Sequence, residues 1–110
     1  MSFLDSDFEL LVYPKPVNMH RSFNGLASLA YSELGIDTLE QAHVLFVNRK
    51  RNQFKILLLN YGHVLVHHMR TLGTIQQDFS GISKIHSKTL VNLLRTVKSR
   101  RPRFSYLLEA

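Results

Sequence analysis

Apolar residues follow two rhythms along this chain, one helical and one strand-like. Met19, Phe23, Leu26, Ala30 and Leu34 recur every three or four residues, with Ala27 and Tyr31 beside them, and this spacing predicts one amphipathic helix. Asn18 stands at the N-cap position and Gly35 at the left-handed closing position, so the helix is expected from about Asn18 to Leu34. Ahead of it, Phe8–Tyr13 reads as a short strand stopped by Pro14-Lys15-Pro16, because proline supplies no backbone donor. Behind it come three strand patterns, His43–Asn48, Gln53–Asn60 and His63–Met69. Their connections, Arg49-Lys50-Arg51-Asn52 and Tyr61-Gly62, are short enough to force antiparallel hairpins. Ile56–Leu59 is apolar on both faces of a strand, which predicts a central strand covered on each side.

The stretch Gly73–Gly81 fits either a fourth short strand around Ile75–Phe79 or a loop. Ser87 is then expected to cap a second helix, Lys88–Lys98, burying Leu90, Val91, Leu94 and Val97. Beyond it, Ser99-Arg100-Arg101-Pro102-Arg103 breaks the pattern before a short apolar tail, Phe104–Leu108. Neither helix could bury its stripe alone, and an open sheet this small needs a covered face. The expected architecture is therefore α+β, a three- to four-stranded antiparallel hairpin or meander packed against two helices. It forms a single domain over residues 1–110, with a core at about 8–98 and a basic C-terminal arm at 99–110.

Composition narrows the function. At 110 residues and 45% hydrophobic, the chain has the size and content of one globular core. Without cysteine there is neither a disulfide framework nor a thiolate metal site. The acidic start Met-Ser-Phe-Leu-Asp-Ser-Asp lacks a signal-peptide layout, and the apolar runs are too short to span a bilayer. A soluble, cytoplasmic protein with no membrane contact is expected.

Net charge is +6, unevenly placed. Residues 1–40 carry six acids against two bases, a net of −4, and residues 41–110 carry twelve bases against two acids, a net of +10. A field of that sign attracts polyanions. Arg49, Lys50 and Arg51 sit at a hairpin turn with Lys55 close behind, a placement suited to gripping phosphates as well as to keeping strand edges apart. Arg100, Arg101 and Arg103 flank Pro102 and suit either a phosphate-tracking arm or a solvated helix end. His20 and Arg21 are expected in the first helical turn, where cations oppose the helix dipole unless an anion is held there.

His63, His67 and His68 invite a metal reading, but residues 63 and 67 lie about 13 Å apart on a strand, too far to share an ion. A surface or partly buried histidine cluster fits better. Catalysis finds little footing: no cysteine nucleophile, P-loop or glycine fingerprint appears, and no acid pairs with a histidine at a suggestive spacing. Neither cofactor nor metal is implied.

One further pattern covers most of the chain. Asn18-Met19-His20-Arg21-Ser22-Phe23-Asn24-Gly25-Leu26 is similar to the Asp-Met-Arg-Lys-Gly-Phe-Asp-Gly-Leu helix start of the TnpB family, accessory proteins encoded by the second open reading frame of insertion-sequence-66-type transposons. Leu45-Phe46-Val47, the Arg49-Lys50-Arg51 turn, Lys55-Ile56-Leu57-Leu58, Gly62-His63-Val64 and the late Leu93-Leu94 helix follow the same order. The resemblance runs from about Phe8 to Val97. It is that of a divergent member, with no Trp in the strands, Asn18 and Asn24 for the aspartates, and only Arg70 kept from a basic run after the third strand. By position, His20 and Arg21 match the family's basic pair.

The resemblance implies a non-enzymatic accessory protein that assists a separate transposase. Its expected partners are DNA, gripped mainly through phosphates, and the transposase or another transposition protein. The expected nucleic-acid surface comprises His20, Arg21, Arg49, Lys50, Arg51, Lys55 and Arg70, extended by Arg100, Arg101 and Arg103. The alternative is a protein-interaction module or homodimer that contacts its partner through strand edges and the apolar tail, without touching DNA.

Overall fold

Strands too apolar to leave either face in water organise this protein. The structure, a computed structural model, describes Leu4 and residues 6–37 and 39–96. In chain order the elements are β1 (Glu9–Val12), α1 (Phe23–Leu34), β2 (Gln41–Val47), β3 (Gln53–Asn60), β4 (His63–Arg70), β5 (Lys84–His86) and α2 (Ser87–Arg95). One five-stranded sheet has the order β4-β3-β2-β1-β5. The three expected strands are present, the middle one interior with Ile56, Leu57 and Leu59 buried. Tyr61 and Gly62 both take positive φ, 50° and 91°, the two-residue turn whose twist matches its flanking strands.

The sheet is mixed and five-stranded, which corrects the expectation of three or four antiparallel strands. β1 pairs in parallel with β2, Leu11 beside Val44 and Val12 beside Leu45. A parallel pair cannot be closed by a tight turn, so the chain crosses one face as α1 before β2 begins. On its far side β1 takes the three-residue β5 as an antiparallel neighbour. Nothing in the period of so short a strand marks it. Gly73–Gly81 is irregular and contributes no strand, yet it buries Ile75 and Phe79.

Each face carries its own cluster. Against α1 lie Tyr13, Val44, Phe46, Leu57 and Leu59 with Leu26, Ala30 and Ile36. Against α2 and the 73–81 segment lie Leu10, Val12, Leu45, Val47, Phe54, Ile56 and Ile85 with Ile75, Phe79, Leu90 and Val91. Fully burying one such aliphatic or aromatic side chain contributes about 1.5–3 kcal/mol. The prolines end β1 as expected, but the chain keeps following β2, with the Tyr13 and Val17 amides donating to the carbonyls of Leu45 and Val47.

Both helix starts differ from the sequence expectation. α1 is capped by Ser22, whose Oγ accepts from the Gly25 amide at 3.3 Å. The Asn18 carboxamide is instead taken by the His20 amide at 2.9 Å in a turn of its own. The helix therefore starts four residues later, Met19 precedes it, and Phe23 is 54% exposed rather than in the stripe. Gly35 closes it at φ 70°, as its position suggested.

The N-cap of α2 is His86, whose Nδ1 accepts from the Lys88 amide at 3.1 Å. Ser87, the expected cap, lies fully buried within the helix. Its Oγ donates to the Ser6 carbonyl at 2.6 Å and accepts from the Phe8 amide at 3.2 Å, while its own amide donates to the Phe8 carbonyl at 2.8 Å. α2 ends at Arg95, and Val97 and Lys98 fall outside the described residues, as do Arg100, Arg101, Arg103 and the tail.

Ser87→Ala should lower stability by about 1–3 kcal/mol, because the part-buried Phe8 amide and Ser6 carbonyl lose their partner. A fall in urea midpoint at constant m-value would measure it. A second expectation concerns His43, partly buried on the α2 face, its ring 4.4 Å from that of Phe8. Burial pushes its pKa below the usual 6.5. Between the two values the unfolded chain holds more protons, so stability is full above 6.5 and declines as pH falls toward the folded value. His43→Gln should flatten that slope in urea midpoints measured across pH.

Candidate nucleic-acid interface

At one end of the α1 face, three stretches of chain meet around an open concavity. The first is the β2–β3 connection. Asn48 Oδ1 accepts from the amides of Asn52 and Gln53, both at 3.0 Å, and its Nδ2 donates to Asn52 Oδ1 at 2.7 Å. This clamp fixes the turn without using a charged side chain. Arg49 and Lys50 at its tip are exposed, and among the described residues their side chains form no hydrogen bond or ion pair.

Arg51 follows a different course. It adopts φ 55°, its carbonyl accepts from the Ile75 amide at 2.9 Å, and its guanidinium donates to the Gln76 carbonyl at 3.4 Å. It thus faces the 73–81 segment, with Asp78 and Phe79 near, on the side away from the concavity.

The second stretch is residues 17–21. Lys55 projects from β3 on the α1 face and donates from Nζ to the Arg21 carbonyl at 3.0 Å, drawing the approach to α1 over the sheet. His20 borders the concavity, while Arg21 and Lys55 stand beside it. His20 and Arg21 precede the helix cap rather than occupying its first turn, and that turn contains no acid.

The third stretch is the end of β4. Register sets Lys55 opposite His68 and Gln53 opposite Arg70, so these four share the α1 face by strand alternation. His68 Nε2 lies 3.1 Å from Gln53 Oε1. Burial first, then the charges of Lys55 and Arg70, lower the His68 pKa from 6.5 and favour the neutral ring. His63 and His67 lie on the opposite face, which separates the three histidines once considered together.

Of the sequence-nominated residues, His20, Arg49, Lys50 and Arg70 come together, with Asn18, Gln53 and His68 completing the wall and no carboxylate lining it. Gln53 and His68 were not nominated. Their signal was the two-residue offset from Lys55 and Arg70, legible only once the strand register is known. Ion pairs among the described residues lie elsewhere: Lys15 with Glu33, Lys84 with Glu9, and Lys88 with Asp7, whose carboxylate also lies 3.3 Å from His86 Nε2. Each is largely exposed and individually weak. Together they place Glu33, Glu9 and Asp7 beside cations that do not line the concavity.

A small mixed α/β sheet domain with a cationic concavity at one end is thus defined. The chain belongs to the TnpB family of insertion-sequence-66-type elements: the family model described as IS66 Orf2 like protein matches residues 8–103. It is a transposition-associated accessory family. Neither a curated protein nor a solved structure matches the chain. No helix among the described residues is long and apolar enough to cross a membrane.

Asn48→Ala should cost about 1–3 kcal/mol by leaving two turn amides without their acceptor. The pair Arg49→Ala/Lys50→Ala should stay within about 0.5 kcal/mol of the parent, as exposed positions with no structural contact do. Guanidinium denaturation of both variants separates the frame of the turn from its free charges.

Proposed function

We propose that this protein is a non-catalytic accessory factor of an insertion-sequence element that binds DNA through phosphates and assists a separate transposase in the cytoplasm. The observation that carries the reading is the gathering of His20, Arg49, Lys50 and Arg70 from three separated stretches around one acid-free concavity. Lysine and arginine that neutralise phosphates release counterions, which yields affinity without sequence information. Arg21 and Lys55 stand beside this surface; Arg51, on the other side of the turn, and Arg100, Arg101 and Arg103 would extend it. The alternative, a protein-interaction module or homodimer that leaves DNA alone, draws support from the long open edge of β4.

Anisotropy of a labelled random duplex across a salt series tests the reading. The logarithm of affinity should fall with the logarithm of salt by about 0.9 per phosphate neutralised. The Arg49→Ala/Lys50→Ala/Arg70→Ala variant should bind more weakly and lose roughly two to three units of that slope. Absence of binding at low salt, or equal binding by the variant, would sink the proposal. His68 adds a pH signature. A phosphate beside it favours the protonated ring and opposes the lowering seen in the free protein, so binding takes up a proton and tightens as pH falls toward that lowered value. His68→Gln should remove part of that dependence.

A further inference from the structure

β4 forms one outer edge of the sheet and runs for eight residues, whereas β5 at the other edge has three. Its pairing with β3 is unbroken from Gln53–Arg70 to Asn60–His63, so no bulge twists it away. It contains no proline and no lysine, and its one permanent charge, Arg70, stands at the end. Among the described residues, such a strand lacks the usual devices that stop edges from pairing.

The turn fixes which backbone groups are on offer. In a two-residue hairpin the flanking residues, here Asn60 and His63, exchange both hydrogen bonds. Alternation then turns the backbones of His63, Leu65, His67 and Met69 toward β3. The Thr71 amide donating to the Asn52 carbonyl at 2.8 Å keeps the same parity beyond the strand, and the Asn48 amide donating to the Gln53 carbonyl at 3.1 Å keeps it on the β2 side. The amides and carbonyls of Val64, Val66, His68 and Arg70 therefore face outward. Their side chains lie on the α1 face, the face of the concavity.

We propose that this edge joins two copies of the chain, antiparallel about Val66, so that two sheets become one and both cationic concavities share one face. A two-fold axis makes a strand its own antiparallel partner. About Val66, the outward groups of Val64 meet those of His68 in the second copy, and Leu65, 60% exposed, gains a cross-strand neighbour in His67 of that copy.

Charge fits a second copy despite the net +6. Each Arg70 falls opposite Gly62 of the other chain, and the two arginines stand about 27 Å apart along the strand, well beyond the screening length of about 8 Å at physiological salt. The β4 walls of the two concavities lie about 20 Å apart by the same rise. The shared DNA surface rests on the function proposed above; the pairing itself does not.

Sedimentation equilibrium of the full chain without DNA, over a concentration series, tests the pairing. The expected mass is that of two chains. Val66→Pro removes an outward amide but none of the bonds to β3, and Val64→Lys sets a charge on the same edge. Both should sediment as single chains with unchanged far-UV circular dichroism, and Val64→Lys stands alone if the proline perturbs folding. A single-chain mass for the parent at every concentration overturns the pairing, as does a two-chain mass that Val64→Lys retains. Because DNA is absent, a single chain that binds duplex overturns the pairing alone, and a dimer that ignores duplex overturns only the DNA reading.

Discussion

Neither face of β2 and β3 can be left to water. Val44–Val47 on one strand are all buried, as are Ile56, Leu57 and Leu59 on the other, and residues next to each other on a strand point to opposite sides. Two covers are therefore required. The parallel pairing of β1 and β2 supplies one, since the chain joining them must traverse a face and does so as α1. The other comes from α2 and the irregular segment that brings Ile75 and Phe79 down onto the sheet. Two helices on opposite faces follow from that requirement rather than from any attraction between them.

The position of the concavity descends from the same arrangement. α1 begins over β3 where Lys55 holds the Arg21 carbonyl and ends beside β1, where the buried Tyr13 hydroxyl donates to Glu33 and Lys15 pairs with the same carboxylate. That contact, chiefly the phenol's hydrogen bond, lowers the Glu33 pKa. Acids and cations meet at this end of the helix, whereas the approach to its start meets the turn tip and the end of β4. Among the cations near that tip, Lys55 and Arg51 support backbone, while Arg49, Lys50 and Arg70 line the concavity. A run of like charges in a sequence can thus divide between scaffold and surface within three residues.

Much of this was legible from the sequence. The hairpins spanning β2, β3 and β4, the interior position of β3 and the glycine closing α1 all have local causes: strand alternation, two-residue turns and left-handed backbone. The family was legible too, since its motif order survives the loss of tryptophan. The parallel neighbour of β2, strand β5 and the buried role of Ser87 were not. Each depends on partners dozens of residues away, and a serine ahead of an apolar run looks the same whether its hydroxyl caps a helix or anchors an N-terminal segment. The helix start was misplaced because Asn18 and Ser22 are both competent caps; the geometry of the turn between them decides.

That anchoring has a bearing on how the protein is made. Ser87 bonds to Ser6 across 81 positions, and β1 gains its second neighbour only when β5 exists. A ribosome delivers the β2–β3–β4 hairpins while β1 still lacks one side and one face of the sheet awaits α2. β1 is thus secured late, and the nascent chain carries an uncovered apolar face until α2 has emerged.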